Sequence, residues 1–404
     1  MPSAPKSSEP TDPSETEQTD EQQVPKLPNL DIAQWLFILK HPDAEPALKE
    51  DAKRDFLRAV EENSMAPFYE EACAQLHWTP DPKLLSHMKH NNTNHIKELD
   101  AAIKDAEENL GESEVRDAWM KKAEYLCAIG DKTASISAFR QTYDKTVGTG
   151  RRLDLVFQQI RIGLFHGDHQ LISANIGKAK SLMEQGGDWD RKNRLKAYEG
   201  LYCLAVRDLK AAAELFLDCV STFTSYELMS YQRLVFYAVV ASMLTLERKD
   251  LREKVIRGAE IQEQLFGMPA LKGYLQGLYE CAYADFFRGL AEIERQLALD
   301  RYLWPHRTYY VRGMRVLAYR QLLSSYRSLT LDYMAAAFGV SVAFMDKELH
   351  QFIALGALHC KIDKVARVVE MSQLDNKSIQ YQAVVKHGDI LLNRIQKLGR
   401  VINV

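Results

Sequence analysis

Four histidines fall close together in the first quarter of the chain, His77, His87, His90 and His95. On a helix His87 and His90 would share a face, the start of a zinc site. No cysteine or carboxylate stands at a recognisable ligand spacing from them, so a polar surface helix is the better account. His166-Gly167-Asp168-His169 lies at a turn between two apolar runs and lacks the His-x-His arrangement of a zinc isopeptidase. The sequence has no Gly-x-x-x-x-Gly-Lys-Ser/Thr phosphate loop, no Gly-x-Ser-x-Gly elbow and no cysteine-nucleophile signature. The expectation is a protein that is not an enzyme, with no cofactor and no metal.

A second constellation is basic. Arg301, Arg307, Arg312, Arg315, Arg320 and Arg327 have no acid between them and alternate with Tyr302, Trp304, Tyr309, Tyr310, Tyr319 and Tyr326. Arginines and aromatic rings suit single-stranded RNA, whose bases stack on them. The same residue types are enriched at protein interfaces. The interface reading is preferred: a helix packs its aromatic face into the module that follows while its arginines, Arg312 and Arg315 among them, meet acidic partners.

Elements that position such residues come next. The chain has 404 residues, 46% hydrophobic and 26% charged, with a formal net charge of −3. That balance gives no reason to expect wholesale nucleic-acid or membrane binding. The six cysteines form no Cys-x-x-Cys pair and sit mostly inside apolar runs, as reduced core residues do. The N-terminus lacks an apolar signal region, and no apolar run approaches the ~18 residues of a membrane span. A cytoplasmic and nuclear protein is expected.

Residues 1–26 carry Pro, Ser, Thr and acids without an aromatic residue, the composition of a disordered acidic tail. A helical arm over 27–111 follows: Asp31 starts a buried helix through Leu39, then come Pro46–Asn63, Ala66–Leu76 and a long polar helix over Asp81–Leu110. From 112 to 300 the pattern repeats. Gly130-Asp131, Gly167-Asp168, Arg207-Asp208 and Lys249-Asp250 each fall between apolar helices, about 37, 40 and 42 residues apart. The aspartate would cap the second helix of each hairpin, and the residue before it would end the first. Asp285 marks a weaker fifth turn. The expected fold is mostly α: a right-handed helical-repeat (tetratricopeptide-like) solenoid.

Residues 301–371 change character. Leu331–Phe338 and Ser341–Phe352 read as two short helices about Gly339, and Ala357–Ile362 with Val365–Glu370 as a two-stranded wing, together a winged helix. A DNA-reading helix must be cationic, whereas Ser341–Phe352 sets Asp346 and Glu348 against Lys347. Protein docking is the preferred role. The last segment, 372–404, is one helix on which Tyr381, Val384, Gly388, Leu391, Ile395, Leu398 and Ile402 recur at alternating steps of three and four. An unpaired seam of this kind needs partner helices to bury it.

Helical repeats running into a winged helix resemble the PCI-domain family. Tyr198-Glu199-Gly200-Leu201, Asp285-Phe286-Phe287, Tyr309-Tyr310-Val311-Arg312, Tyr326–Asp332, Gly339-Val340-Ser341 and the closing Val384–Val404 helix are similar to non-ATPase regulatory subunits of the proteasome lid. The resemblance covers the chain from about Leu27 onward. It implies a non-catalytic scaffold of the 19S regulatory particle, serving ATP-dependent degradation of ubiquitinated proteins. Its partners would be other lid PCI subunits, met through the winged helix (Leu358, Ile362, Val368) and the seam from Tyr381 to Ile402. The arm around Trp35, Leu36 and Leu39 would reach the ATPase base. The paralogous signalosome PCI subunit shares the plan, and an RNA-associated PCI protein of translation initiation or mRNA export is the remaining alternative.

Overall fold

The computed structural model describes residues 25–371 and 376–402. The acidic tail, as far as residue 24, lies outside the described residues. Four helices open the chain, α1 (Leu30–Lys40), α2 (Pro46–Glu62), α3 (Ala66–Leu76) and α4 (Pro82–Asn109). Six more follow in short-looped succession: α5 (Glu112–Ala128), α6 (Lys132–Asp144), α7 (Thr149–His166), α8 (His169–Glu184), α9 (Trp189–Val206) and α10 (Leu209–Cys219). Then come α11 (Tyr231–Thr245), α12 (Arg248–Leu251), α13 (Ala259–Phe266), α14 (Pro269–Tyr279), α15 (Tyr283–Ala298) and α16 (Arg307–Leu323). The chain is mostly α, as its sequence pattern predicts.

Local chemistry explains the helix boundaries. The first helix is capped by Asn29, whose side chain accepts the Asp31 N–H at 3.0 Å, so Asp31 is not the cap. Asp31 lies instead in the first turn, where a carboxylate complements the helix dipole. Three repeat turns share one geometry. Asp131 accepts the Ala134 N–H at 3.0 Å, Asp168 the Leu171 N–H at 3.0 Å and Asp208 the Ala211 N–H at 3.1 Å. The residue before each is left-handed: Gly130 at φ +79°, Gly167 at +71° and Arg207 at +72°. Lys249-Asp250 is different, because it lies inside α12, which runs on into a π-helical stretch at Arg252–Ile256. Asp285 is likewise no cap; it occupies the first turn of α15, behind Ala282.

Two compact units emerge, one reaching to Tyr202 with Asp218–Leu234, the other Cys203–Leu217 with Val235 onward. In the first unit α5 packs on α6, α6 on α7 and α7 on α8, the neighbour-to-neighbour order of a helical repeat. Helix α7 is its axis, buried on every side from Leu155 to Phe165. Ala123, Leu126, Phe139, Leu155 and Ile162 form one apolar cluster there. Full burial of each large member contributes roughly 1.5–3 kcal/mol.

In the second unit α14 and α15 approach almost backbone to backbone. A Cβ on Gly277 would stand 2.9 Å from the Phe286 nitrogen, and one on Gly289 3.0 Å from the Tyr274 Cα. The Tyr274 ring stacks on Phe286 with centroids 5.2 Å apart. After α16 the chain forms β1 (Ser328–Thr330), α17 (Leu331–Phe338), α18 (Val342–Ala354), β2 (Cys360–Asp363) and β3 (Val368–Met371). The sheet order is β1-β3-β2, antiparallel, with Leu329 and Ile362 both opposite Val369. This is a winged helix with a third strand, β1, beyond the two expected. Phe338 joins it to the preceding helices, lying 4.8 Å from Tyr283, 4.9 Å from Phe287 and 4.8 Å from Tyr319. Helix α19 (Asn376–Ile402) closes the described chain.

Candidate docking surfaces

The histidines of α4 are engaged locally. His87 and His90 face Asn91 and Asn94 one turn on, and the His95 ring lies 4.4 Å from Tyr125 while its Nδ1 is 3.3 Å from Glu98. Among the described residues no group of three or more His, Cys, Asp or Glu is placed to hold a metal ion. No described helix is long and apolar enough to cross a membrane.

The arginine stretch divides. Arg315 Nη1 donates to Glu348 Oε1 at 2.7 Å, and the Tyr319 hydroxyl donates to the other oxygen of the same carboxylate. Burial and the neighbouring Glu348 carboxylate push the Tyr319 phenol far above its ordinary value. Arg320 donates to the Ala357 carbonyl at 3.0 Å, and Arg307 lies 3.9 Å from Glu294. These arginines tie α16 to its own unit. Arg312 is exposed and remains a surface cation. Tyr310 and Tyr319 are buried, Tyr310 with its hydroxyl 3.1 Å from that of Tyr274.

The second winged-helix helix, α18, directs its acids inward or sideways. Glu348 is buried against α16, and Asp346 meets Lys364 of the wing at 3.2 Å. The outward face carries Ala343, Phe344, Lys347 and His350. One lysine among apolar groups is a poor phosphate reader and a fair protein contact. On the wing, Leu358 is only 5% exposed and belongs to the core of the module, whereas Ile362 and Val368 are half-buried. Val365, at the wing tip, is 98% exposed.

Among the described residues, α19 carries more exposed large apolar side chains than any other element. Tyr381, Val384, Leu391, Ile395, Leu398 and Ile402 are between 57% and 72% exposed. Val385 and Leu392, four residues after Tyr381 and Gly388, widen the seam into a broader stripe. Sequence reasoning passed over these two because it tracked steps of three and four along a single line. A stripe three positions wide per heptad suits a helix surrounded by several others, where a two-helix coil needs only two.

Comparison with known proteins agrees with these parts in order. Residues 81–254 match the family described as 26S proteasome subunit RPN7, and residues 290–373 match the PCI domain. Residues 380–402 match the 26S proteasome regulatory subunit RPN7/PSMD6 C-terminal helix. The 26S proteasome non-ATPase regulatory subunit 6 of Caenorhabditis elegans is 50% identical over 387 residues, covering 94% of each chain. The protein of that name in Oryza sativa is 48% identical over 93% of this chain and 97% of its own. The regulatory subunit RPN7 of Saccharomyces cerevisiae is 36% identical over 94% and 95%. With a winged helix built into its helical array and an uncovered terminal seam, the chain belongs to the 26S proteasome non-ATPase regulatory subunit 6 (RPN7) family.

Proposed function

We propose that the chain is a non-catalytic scaffold subunit of the lid of the 19S regulatory particle. It supports ATP-dependent degradation of ubiquitinated proteins by holding neighbours in place. The observation that carries this reading is α19, a helix of 27 residues whose apolar stripe is exposed among the described residues. Leaving such a stripe uncovered is costly, and burying Leu391, Ile395 and Leu398 in a helical bundle would return roughly 1.5–3 kcal/mol for each fully covered side chain. Other PCI subunits are the partners of this helix and of the winged helix. The ATPase base is the partner of the N-terminal arm, and the protein works in the cytoplasm and the nucleus.

Arg315, Arg320 and Arg307 are engaged within the chain, and the acids of α18 leave its surface short of positive charge, which favours protein docking over RNA. The test is deletion from Tyr381 onward in a tagged copy, followed by native affinity purification and mass spectrometry. The truncated protein should stay folded and lose the lid subunits that the full chain recovers. Normal recovery by the truncated protein refutes the bundle role. Recovery of signalosome subunits by the full chain refutes the assignment to the lid.

A further inference from the structure

A cavity of about 500 Å³, inside the ~300–1,000 Å³ range of ligand pockets, opens in the first unit between α5, α7 and α9. Arg161 of α7 lines it and is only 1% exposed. Its Nη1 donates to the main-chain carbonyl of Pro25 at 2.7 Å, while its Nε has no hydrogen-bond partner. Gln158, one turn earlier and 4% exposed, leaves its Oε1 without a donor. Met120, Phe157 and Tyr198 give the cavity an apolar side, the two rings stacked with centroids 5.0 Å apart. Charge is unbalanced, because five acids line the space against three arginines. Arg191 holds Asp154 with two bonds of 3.0 and 2.9 Å, and Arg194 stands 3.2 Å from Asp190. Buried Glu227 instead accepts from the Tyr198 hydroxyl at 3.1 Å, a neutral donor that leaves its charge uncancelled.

We propose that this cavity is a socket for a lysine or arginine side chain of a neighbouring subunit, which presupposes the docking role proposed for the chain. The long apolar stem of such a residue suits the side formed by Met120, Phe157 and Tyr198, and its charged head suits the excess of acids. Two unmatched atoms narrow the choice further. The head donates, as Gln158 Oε1 requires, and a main-chain carbonyl of the same segment accepts, as Arg161 Nε requires. Arg161 already binds one carbonyl of that kind, at Pro25. A free polyamine carries donors alone and would leave Arg161 Nε unmatched. A free anion would leave Gln158 Oε1 unmatched and would add to the excess of negative charge.

The test places photoreactive p-benzoylphenylalanine at Trp189, an exposed residue between the lining acids Asp188 and Asp190, in a tagged full chain. The assembled particle is purified, irradiated and digested, and the linked peptides are sequenced by mass spectrometry. The expected link is to another subunit, within a few residues of a lysine or arginine. Glu227→Gln keeps an acceptor for Tyr198 and removes one charge, and it should lower the yield of that link at least about fivefold. Neutralising the linked basic residue leaves this chain untouched and should do the same, with little further loss when both changes are combined. A link to a peptide without a basic residue, a link to this chain's own N-terminus, or no link in an intact particle overturns the socket and leaves the docking role standing. A yield that survives both neutralisations overturns it as well. Failure of the full chain to recover lid subunits overturns the docking role itself, and the socket with it.

Discussion

Replacing Glu348 with alanine tests whether the winged helix is locked to α16 by one carboxylate. In the native chain that carboxylate answers two donors, Arg315 at 2.7 Å and the hydroxyl of the fully buried Tyr319. Its loss strands the hydroxyl in a dry site, at about 1–3 kcal/mol. The Arg315 side chain keeps a third of its surface in water. Solvent therefore recovers most of its lost pairing, which adds no more than about 1 kcal/mol. The sum is about 1–4 kcal/mol, and at roughly 2–4 °C per kcal/mol the midpoint of this unit should fall by about 2–16 °C. The assay is thermal unfolding of Glu348→Ala, Tyr319→Phe and the double variant. In the double variant no hydroxyl is left stranded, so it should be less destabilised than the two single effects summed. A shift below about 2 °C for Glu348→Ala, or strict additivity, would refute the reasoning.

Two further expectations concern single groups. Burial raises the Cys281 thiol, but hydrogen bonds from Arg248, Tyr283 and Gln321 outweigh it and bring the group below the ordinary thiol value, whereas burial pushes Cys127 up to about 12. At pH 8 iodoacetamide should therefore label the exposed Cys281 at least about 10³-fold faster than Cys127, and Arg248→Ala should slow it; comparable labelling of the two refutes this. Asp168 is held below the ordinary carboxylate value by Lys132, then by the Leu171 N–H. Its stabilisation is present above the unfolded value near ~3.9 and is lost as pH falls through the lower folded one. Asp168→Ala should cost about 1 kcal/mol at pH 7 by urea unfolding, and the gap from the native chain should narrow below pH ~4.

Residues whose role is local were legible in the sequence. Asp131, Asp168 and Asp208 announce caps because a short acceptor before an apolar run has few other uses, and Gly130 and Gly167 announce the left-handed residue before them. Arg207 takes the same conformation without being glycine, so that turn is legible only through its aspartate. Lys249-Asp250 has the same letters but no break in the helix that follows, and spacing could not reveal a π-helical continuation. Strand β1 is three residues long, too short to alternate, and exists only because Val368–Glu370 lies opposite it. Leu358 looked like a wing residue; its burial depends on the packing of α18 beneath it. The bond from Arg161 to Pro25 spans 136 positions, and no local pattern carries it.

The aromatic knot at Phe338 has a mechanical side. A neighbour pulling on the wing pulls on α17 and β3, and Phe338 passes that load to α15 and α16 through Tyr283, Phe287 and Tyr319. The two glycines that seat α14 against α15 carry it one helix further with almost no slack. Close packing of this kind transmits strain, so a strained contact at the wing is felt by the helices behind it. A partner gripping it must move the stack of helices behind it or let go, much as a handle cast in one piece with its tool moves the whole blade.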